Sequence, residues 1–153
     1  MQTAVCTDTV SIKVIAESDD LLPVYATQGA AGADLKANVK EPVVLPPHSV
    51  GIIPTGLKFE IPQGFEVQIR PRSGLAAKSG VTVLNAPGTI DSDYRGEIQV
   101  ILINHSNQDF TVTYGMRIAQ MVVAPVTQAT FSIATDLSTS TRGSGGFGHT
   151  GTH

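Results

Sequence analysis

The chain has 153 residues, 41% apolar and 15% charged; this is the size of one ordinary domain, and the composition excludes a disordered acidic or basic chain. Ten Lys and Arg against thirteen Asp and Glu leave a net charge of −3, which argues against a surface that grips nucleic acid or anionic lipid through bulk charge but allows a small anion at one local site. The single cysteine, Cys6, excludes an intrachain disulfide and any multi-cysteine metal site. No apolar run approaches the roughly 18–20 residues of a transmembrane helix. The start, MQTAVCTDTV, has neither the basic region nor the apolar core of a secretory signal, so a cytoplasmic location with no membrane partner is expected.

Fifteen Gly and nine Pro cut the chain into short segments rich in Val, Ile and Thr, the composition of strands. In chain order, Val10, Ile12 and Val14 alternate onto one face. Leu57, Phe59 and Ile61 alternate with Lys58 and Glu60, and Phe65, Val67 and Ile69 alternate with Glu66, Gln68 and Arg70. The intervening Pro62-Gln63-Gly64 predicts a β-hairpin with a three-residue turn. Ser73–Lys78 is the one helix candidate. Ile98–Ile103 is apolar on both faces, the pattern of a strand buried on both sides. Phe110, Val112 and Tyr114 alternate, and Arg117–Val123 reads as a last strand, closed by Pro125. Short strands between turn signals predict an all-β sandwich, barrel or jelly roll. The expected folded domain spans 1–134. Residues 135–153 contain five Gly, five Thr and three Ser and cannot supply a core, so a flexible tail is predicted. That tail nevertheless carries Arg142 and Phe147, for which a featureless linker has little use.

Three segments carry chemistry. In Arg70–Gly80, two arginines and Ser73 sit where a strand gives way to a short helix, and free backbone N–H groups, a hydroxyl and a guanidinium suit a phosphate. A plain helix cap with solvated arginines is the alternative. In Asn85–Ile98, Asp91 stands between two turn signals with Tyr94 three residues on. A carboxylate there can hold a water as general base, and an acidic β-turn is the alternative. Gly143–Gly148 matches G-x-G-x-x-G literally, but only five residues follow, so the helix of a dinucleotide-binding unit cannot form. Wrapping a phosphate with backbone N–H groups and plain disorder both stand as readings of that segment. His48, His105, His149 and His153 have no ligand spacing, which argues against zinc. Any metal here is expected to be a hard, partly hydrated Mg²⁺ arriving with a phosphate substrate.

The order of these segments resembles that of the homotrimeric dUTP pyrophosphatases (dUTPases), a family marked by five short motifs in fixed order. Ala31–Leu35, Arg70–Ala76, Gly88–Ile98, Gly115–Gln120 and Arg142–Gly148 look like the first to the fifth. The resemblance implies a β jelly roll, a threefold trimer with each site drawn from all three chains, and Mg²⁺-dependent hydrolysis of dUTP to dUMP and pyrophosphate. Such an activity limits uracil incorporation into DNA and supplies dUMP for thymidylate synthesis. It implies Asp91 as the base that activates a water against the α-phosphorus, with Arg72, Ser73 and Gly74 on the phosphate chain. Asn85 and the backbone around Gly88, Thr89 and Ile90 would read uracil, and Tyr94 would wall off a 2′-hydroxyl. Gln99 and Gly148 belong to the implied binding set, with Gln120 near the phosphates or an ordered water. Asp34 would reach the Mg²⁺ water shell without ligating the metal, Phe147 would stack over uracil, and Arg142 would reach the γ-phosphate. The fifth motif departs at His149, for which no new role is expected. A dCTP deaminase shares the fold but needs a glutamate where Ile101 stands. A nucleotide-responsive binding module or a structural trimer would have no need of Asp91 or the tail.

Overall fold

The computed structural model describes residues 9–151; Cys6 and His153 lie outside them. Among the described residues, eleven strands, one α-helix and a single 3-10 turn (Asp19–Leu21) are formed: β1 (Lys13–Ala16), β2 (Val24–Tyr25), β3 (Ala33–Lys36), β4 (Val43–Leu45), β5 (Val50–Glu60), β6 (Phe65–Arg70), α1 (Ser73–Ser79), β7 (Val81–Val83), β8 (Gly88–Ile90), β9 (Glu97–Asn104), β10 (Phe110–Val112) and β11 (Arg117–Pro125). A four-stranded sheet in the order β1-β5-β9-β7 faces a five-stranded sheet in the order β2-β3-β11-β6-β8, and β4 pairs with β10. This is the all-β jelly roll that the strand pattern and the family resemblance predict.

The core forms between the sheets because alternate residues on each strand point inward. Ile53, Leu57 and Phe59 from β5 and Ile98, Val100 and Leu102 from β9 meet Leu35, Val67, Ile69 and Ile118 from the opposite layer, all at most 3% exposed. Val10, Ile12 and Val14 share the half-buried face of their segment, as expected.

Two expectations fail. Leu57–Ile61 and Phe65–Arg70 do not form a hairpin: β5 pairs with β1 and β9, whereas β6 pairs with β11 and β8. The Pro62–Gly64 turn, closed by Phe65 N–H donating to the Pro62 carbonyl at 3.2 Å, therefore carries the chain from one layer to the other. Nor is β9 buried on both faces. Ile98, Val100, Leu102 and Asn104 are buried, whereas Gln99, Ile101 and Ile103 face outward. The register sets them opposite Pro54, Ile52 and Val50, and Ile52 is 60% exposed.

Between Pro54 and Lys58 the β5–β9 register slips. Buried Thr55 donates its hydroxyl to the Ile98 carbonyl at 2.6 Å, and Gly56 N–H donates to Glu97 Oε1 at 2.9 Å. Gly56 has φ +70° and lies under Asn38 and Leu21, a conformation and a contact that a side chain would not tolerate. The helix runs one residue past the predicted end and stops at Gly80, whose φ of +63° makes the left-handed cap. Among the described residues, no helix or strand follows Pro125.

Candidate active site

The junction of β6 and α1 builds the first half of the site. Arg72 is the N-cap and makes no side-chain cap hydrogen bond, so Ser73 is the first helical residue. The cap reading of Ser73 thus fails, and its exposed hydroxyl is left for other work. Arg72 Nε lies 3.1 Å from Asp34 Oδ1, and Arg117 Nη1 lies 3.3 Å from Asp34 Oδ2. Arg72 Nη1 also donates to the Arg117 carbonyl at 3.0 Å. One carboxylate thus orients two guanidinium groups, and a positive charge is left over. Gln120 donates its side-chain amide to the Pro71 carbonyl at 2.9 Å, and its Oε1 occupies the space that a Cβ at Gly32 would need. Ala31, Asp34, Arg72, Ser73, Gly74 and Gln120 line an open cleft of about 350 Å³ here. The first turn of a helix also leaves N–H groups without helical acceptors, so the cleft has the chemistry of an anion site.

The turn from β8 to β9 builds the second half. Tyr94 N–H donates to the Asp91 carbonyl at 3.2 Å, which fixes base candidate and aromatic ring on one turn. The Tyr94 phenol donates to the Glu97 carbonyl at 3.0 Å. Asp91, Tyr94, Thr89 and Ile90 face Gln99, Ile101 and Ile52 across a cleft of about 260 Å³. Its floor is therefore the outward apolar face of β5 and β9. At the start of β8, a Cβ on buried Gly88 would sit 3.3 Å from both Asn85 Nδ2 and Ile69 Cβ, so the missing side chain lets Asn85 pack against the strand.

The two halves lie apart. Asp34, Gln120 and Arg70 share one row across β3, β11 and β6. On β8, Gly88 pairs with Ile69 and Ile90 with Val67, so that row continues at residue 87. Asp91 is four residues further on (91 − 87), or about 13 Å at ~3.3 Å per residue. The structure thus gathers Asp34, Arg72, Ser73, Gly74 and Gln120 in one cleft and Thr89, Ile90, Asp91, Tyr94 and Gln99 in another. Asn85 and Gly88 sit together, and Arg142, Phe147 and Gly148 stay on the tail. There, Arg142 Nε donates to the Gly145 carbonyl at 2.7 Å, and Phe147 is fully exposed at φ +46°. Arg117 and Glu97 lie outside the set of site residues that the sequence predicts. Arg117 lies inside the fourth motif, but only the pairing of β11 with β3 reveals its contact with Asp34. Among the described residues, no three His, Cys, Asp or Glu gather as a metal site.

The model of the dUTPase family matches residues 20–151. The deoxyuridine 5′-triphosphate nucleotidohydrolase of Chlamydia pneumoniae is 61% identical over 136 residues, covering 88% of this chain and 94% of the relative. The enzyme of the same name from Roseobacter denitrificans is 60% identical over 131 residues, covering 85% and 86%. In fold, the chain is similar to the Staphylococcus bacteriophage 80alpha dUTPase G164S mutant with dUpNHpp, at a TM-score of 0.83 and 24% identity, covering 94% of this chain and 99% of that one.

Proposed function

This chain belongs to the dUTPase family and hydrolyses dUTP to dUMP and pyrophosphate, and we propose that Asp91 is the catalytic base and that each site is shared between the copies of a homotrimer. A water held by the Asp91 carboxylate attacks the α-phosphorus. Its oxygen forms the new P–O bond, its proton passes to Asp91, and the bond from the α-phosphorus to the bridging oxygen breaks to release pyrophosphate. Arg72, Ser73 and the first N–H groups of α1 hold the phosphates and stabilise the charge that develops on them. Asn85 and the β8 backbone read the uracil edge, and the Tyr94 ring excludes a 2′-hydroxyl.

The observation that carries the shared site is the separation of the two clefts in one chain. The Asp91 cleft has Ile52 and Ile101 on its floor, and the same outward face continues to the neighbouring pair Val50 and Ile103, with Val50 and Ile52 exposed and Ile101 and Ile103 half-buried. A face of this kind favours burial by a further copy, and a copy seated there brings its own groups to the rim of the cleft. Exposed Phe131 and Ile133 lead to the tail, whose Phe147 and Arg142 close over base and γ-phosphate.

The donor set fits Mg²⁺ held by the triphosphate and by water. Both oxygens of Asp34 face guanidinium groups, so its carboxylate serves a hydrated ion through water better than as a direct ligand. Bound there, the ion would neutralise phosphate charge. Deamination of dCTP is disfavoured because Ile101, which lines the Asp91 cleft, cannot carry a proton. No helix among the described residues is long and apolar enough to cross a membrane, and a cytoplasmic place of action is part of this reading. Pyrophosphate release from dUTP, dTTP, dCTP and UTP with Mg²⁺ tests the selectivity. The 4-amino group of dCTP leaves buried polar groups unpaired, which discriminates by about 10⁴-fold, and the 5-methyl group of dTTP clashes with a tight hairpin pocket; equal turnover of dTTP would refute the uracil pocket.

A further inference from the structure

Tyr94 is 44% exposed, and a phenol at such a surface can bond to water in many orientations. Here one orientation is imposed. The ring lies against the α-carbon of Gly96: a Cβ there would meet the hydroxyl, would come within 2.6 Å of Cζ and would come within 3.0 Å of Cε2. Real Cβ atoms do not approach so closely, so the ring occupies a space that only glycine leaves free. The phenol then donates to the Glu97 carbonyl at 3.0 Å.

That carbonyl is itself held from both sides. The Glu97 side chain accepts from Gly56 N–H at 2.9 Å. The next carbonyl, of Ile98, accepts from the buried Thr55 hydroxyl at 2.6 Å. The slipped register of β5 therefore clamps the start of β9, and the start of β9 clamps the ring. From this geometry we infer that Gly96 and Glu97 form a seat that sets sugar selectivity by fixing the Tyr94 ring; both are positioning residues, and neither need touch the substrate. The inference rests on the reading of Tyr94 as the wall against the 2′-hydroxyl. Any side chain at position 96 lifts the wall, and loss of the Glu97 clip lets it drift.

The test compares the dUTP/UTP ratio of kcat/KM in the native enzyme, Tyr94→Ala, Tyr94→Phe, Gly96→Ala, Glu97→Ala and Glu97→Gln, with thermal unfolding of each. Gly96→Ala is expected to lower the ratio about tenfold or more, the scale of a small steric change in a selective pocket. Tyr94→Phe and Glu97→Ala each remove one hydrogen bond and are expected to lower it about three- to tenfold. Glu97→Gln keeps an acceptor for Gly56 N–H and is expected to restore the native ratio. An unchanged ratio in Tyr94→Ala would overturn the wall itself. A reduced ratio in Tyr94→Ala with a native ratio in Gly96→Ala would overturn the seat alone. If Gly96→Ala does not fold, a native ratio in both Tyr94→Phe and Glu97→Ala would overturn it equally.

Discussion

Gln120 on β11 donates its side-chain amide to the carbonyl of Pro71 at 2.9 Å and thereby ties the middle of the five-stranded sheet to the connection that presents Arg72 and Ser73. Its amide N–H is already engaged by backbone, which gives it a positioning part besides any contact with phosphate. Gln120→Ala removes the strut, and Gly32→Ala drives a methyl into Gln120 Oε1. Both are expected to raise KM for dUTP and to lower kcat/KM about tenfold, the worth of one hydrogen bond near a charged group. Steady-state kinetics of the two variants checks this, and native KM values in both would show that the strut is idle.

Asp91→Asn is expected to fold normally and to bind a non-hydrolysable dUTP analogue, with kcat reduced about 10²–10⁴-fold, because an amide cannot take the proton of the attacking water. Calorimetric titration with the analogue and single-turnover kinetics separate the two effects. A near-native kcat would remove Asp91 from the role of base.

Arg72→Lys keeps the charge but cannot reach both the Asp34 carboxylate and the Arg117 carbonyl, because an ammonium lacks the planar fork of guanidinium. A rise in KM of about tenfold is expected with little change in unfolding temperature, since this ion pair is partly exposed and stabilises the fold weakly. A native KM would mean that the fork is dispensable.

Two inactive chains should rescue each other. If Asp91 and the Arg72 cleft of one site come from different copies, trimers mixed from Asp91→Asn and Arg72→Ala chains contain sites in which both residues are native. Co-refolded mixtures are expected to regain dUTP turnover well above either parent. An Ile52→Asp chain, which buries a charge in the proposed interface, is expected to sediment as a monomer without activity. Mixtures as inactive as their parents would refute sharing between copies.

Deleting Ser140–His153 is expected to leave assembly and unfolding temperature unchanged, because the described part of the segment is exposed apart from half-buried Gly145, and to abolish most turnover. Ordering the tail costs about 1–2 kcal/mol per residue, so closure is expected only with the full triphosphate and Mg²⁺. Protection of the tail from proteolysis by the analogue with Mg²⁺, but not by dUMP, checks this, and full activity after deletion would refute the lid.

Much of this architecture is legible in the order of residues. The helix at Ser73, the inward residues of β5 and β6 and the break at Pro125 follow from local periodicity and from Gly and Pro, because a strand with one buried face must alternate. The five motifs likewise name most of the site. Partner choice is another matter. Leu57, Phe59 and Ile61 face the same core as Val67 and Ile69, but from opposite sheets. Alternation records which face is buried and is blind to which strand supplies the hydrogen bonds, so a crossing between layers looks like a hairpin. The apolar run of β9 is misleading for a related reason: its second face is largely apolar, yet none of the described residues buries it fully. Only tertiary structure decides the pairing of β3 with β11 that brings Arg117 to Asp34, the seat of Tyr94 on Gly96 and the separation of the two clefts. Each depends on contacts between residues distant in sequence or on the exact disposition of a turn, and neither leaves a period in the chain.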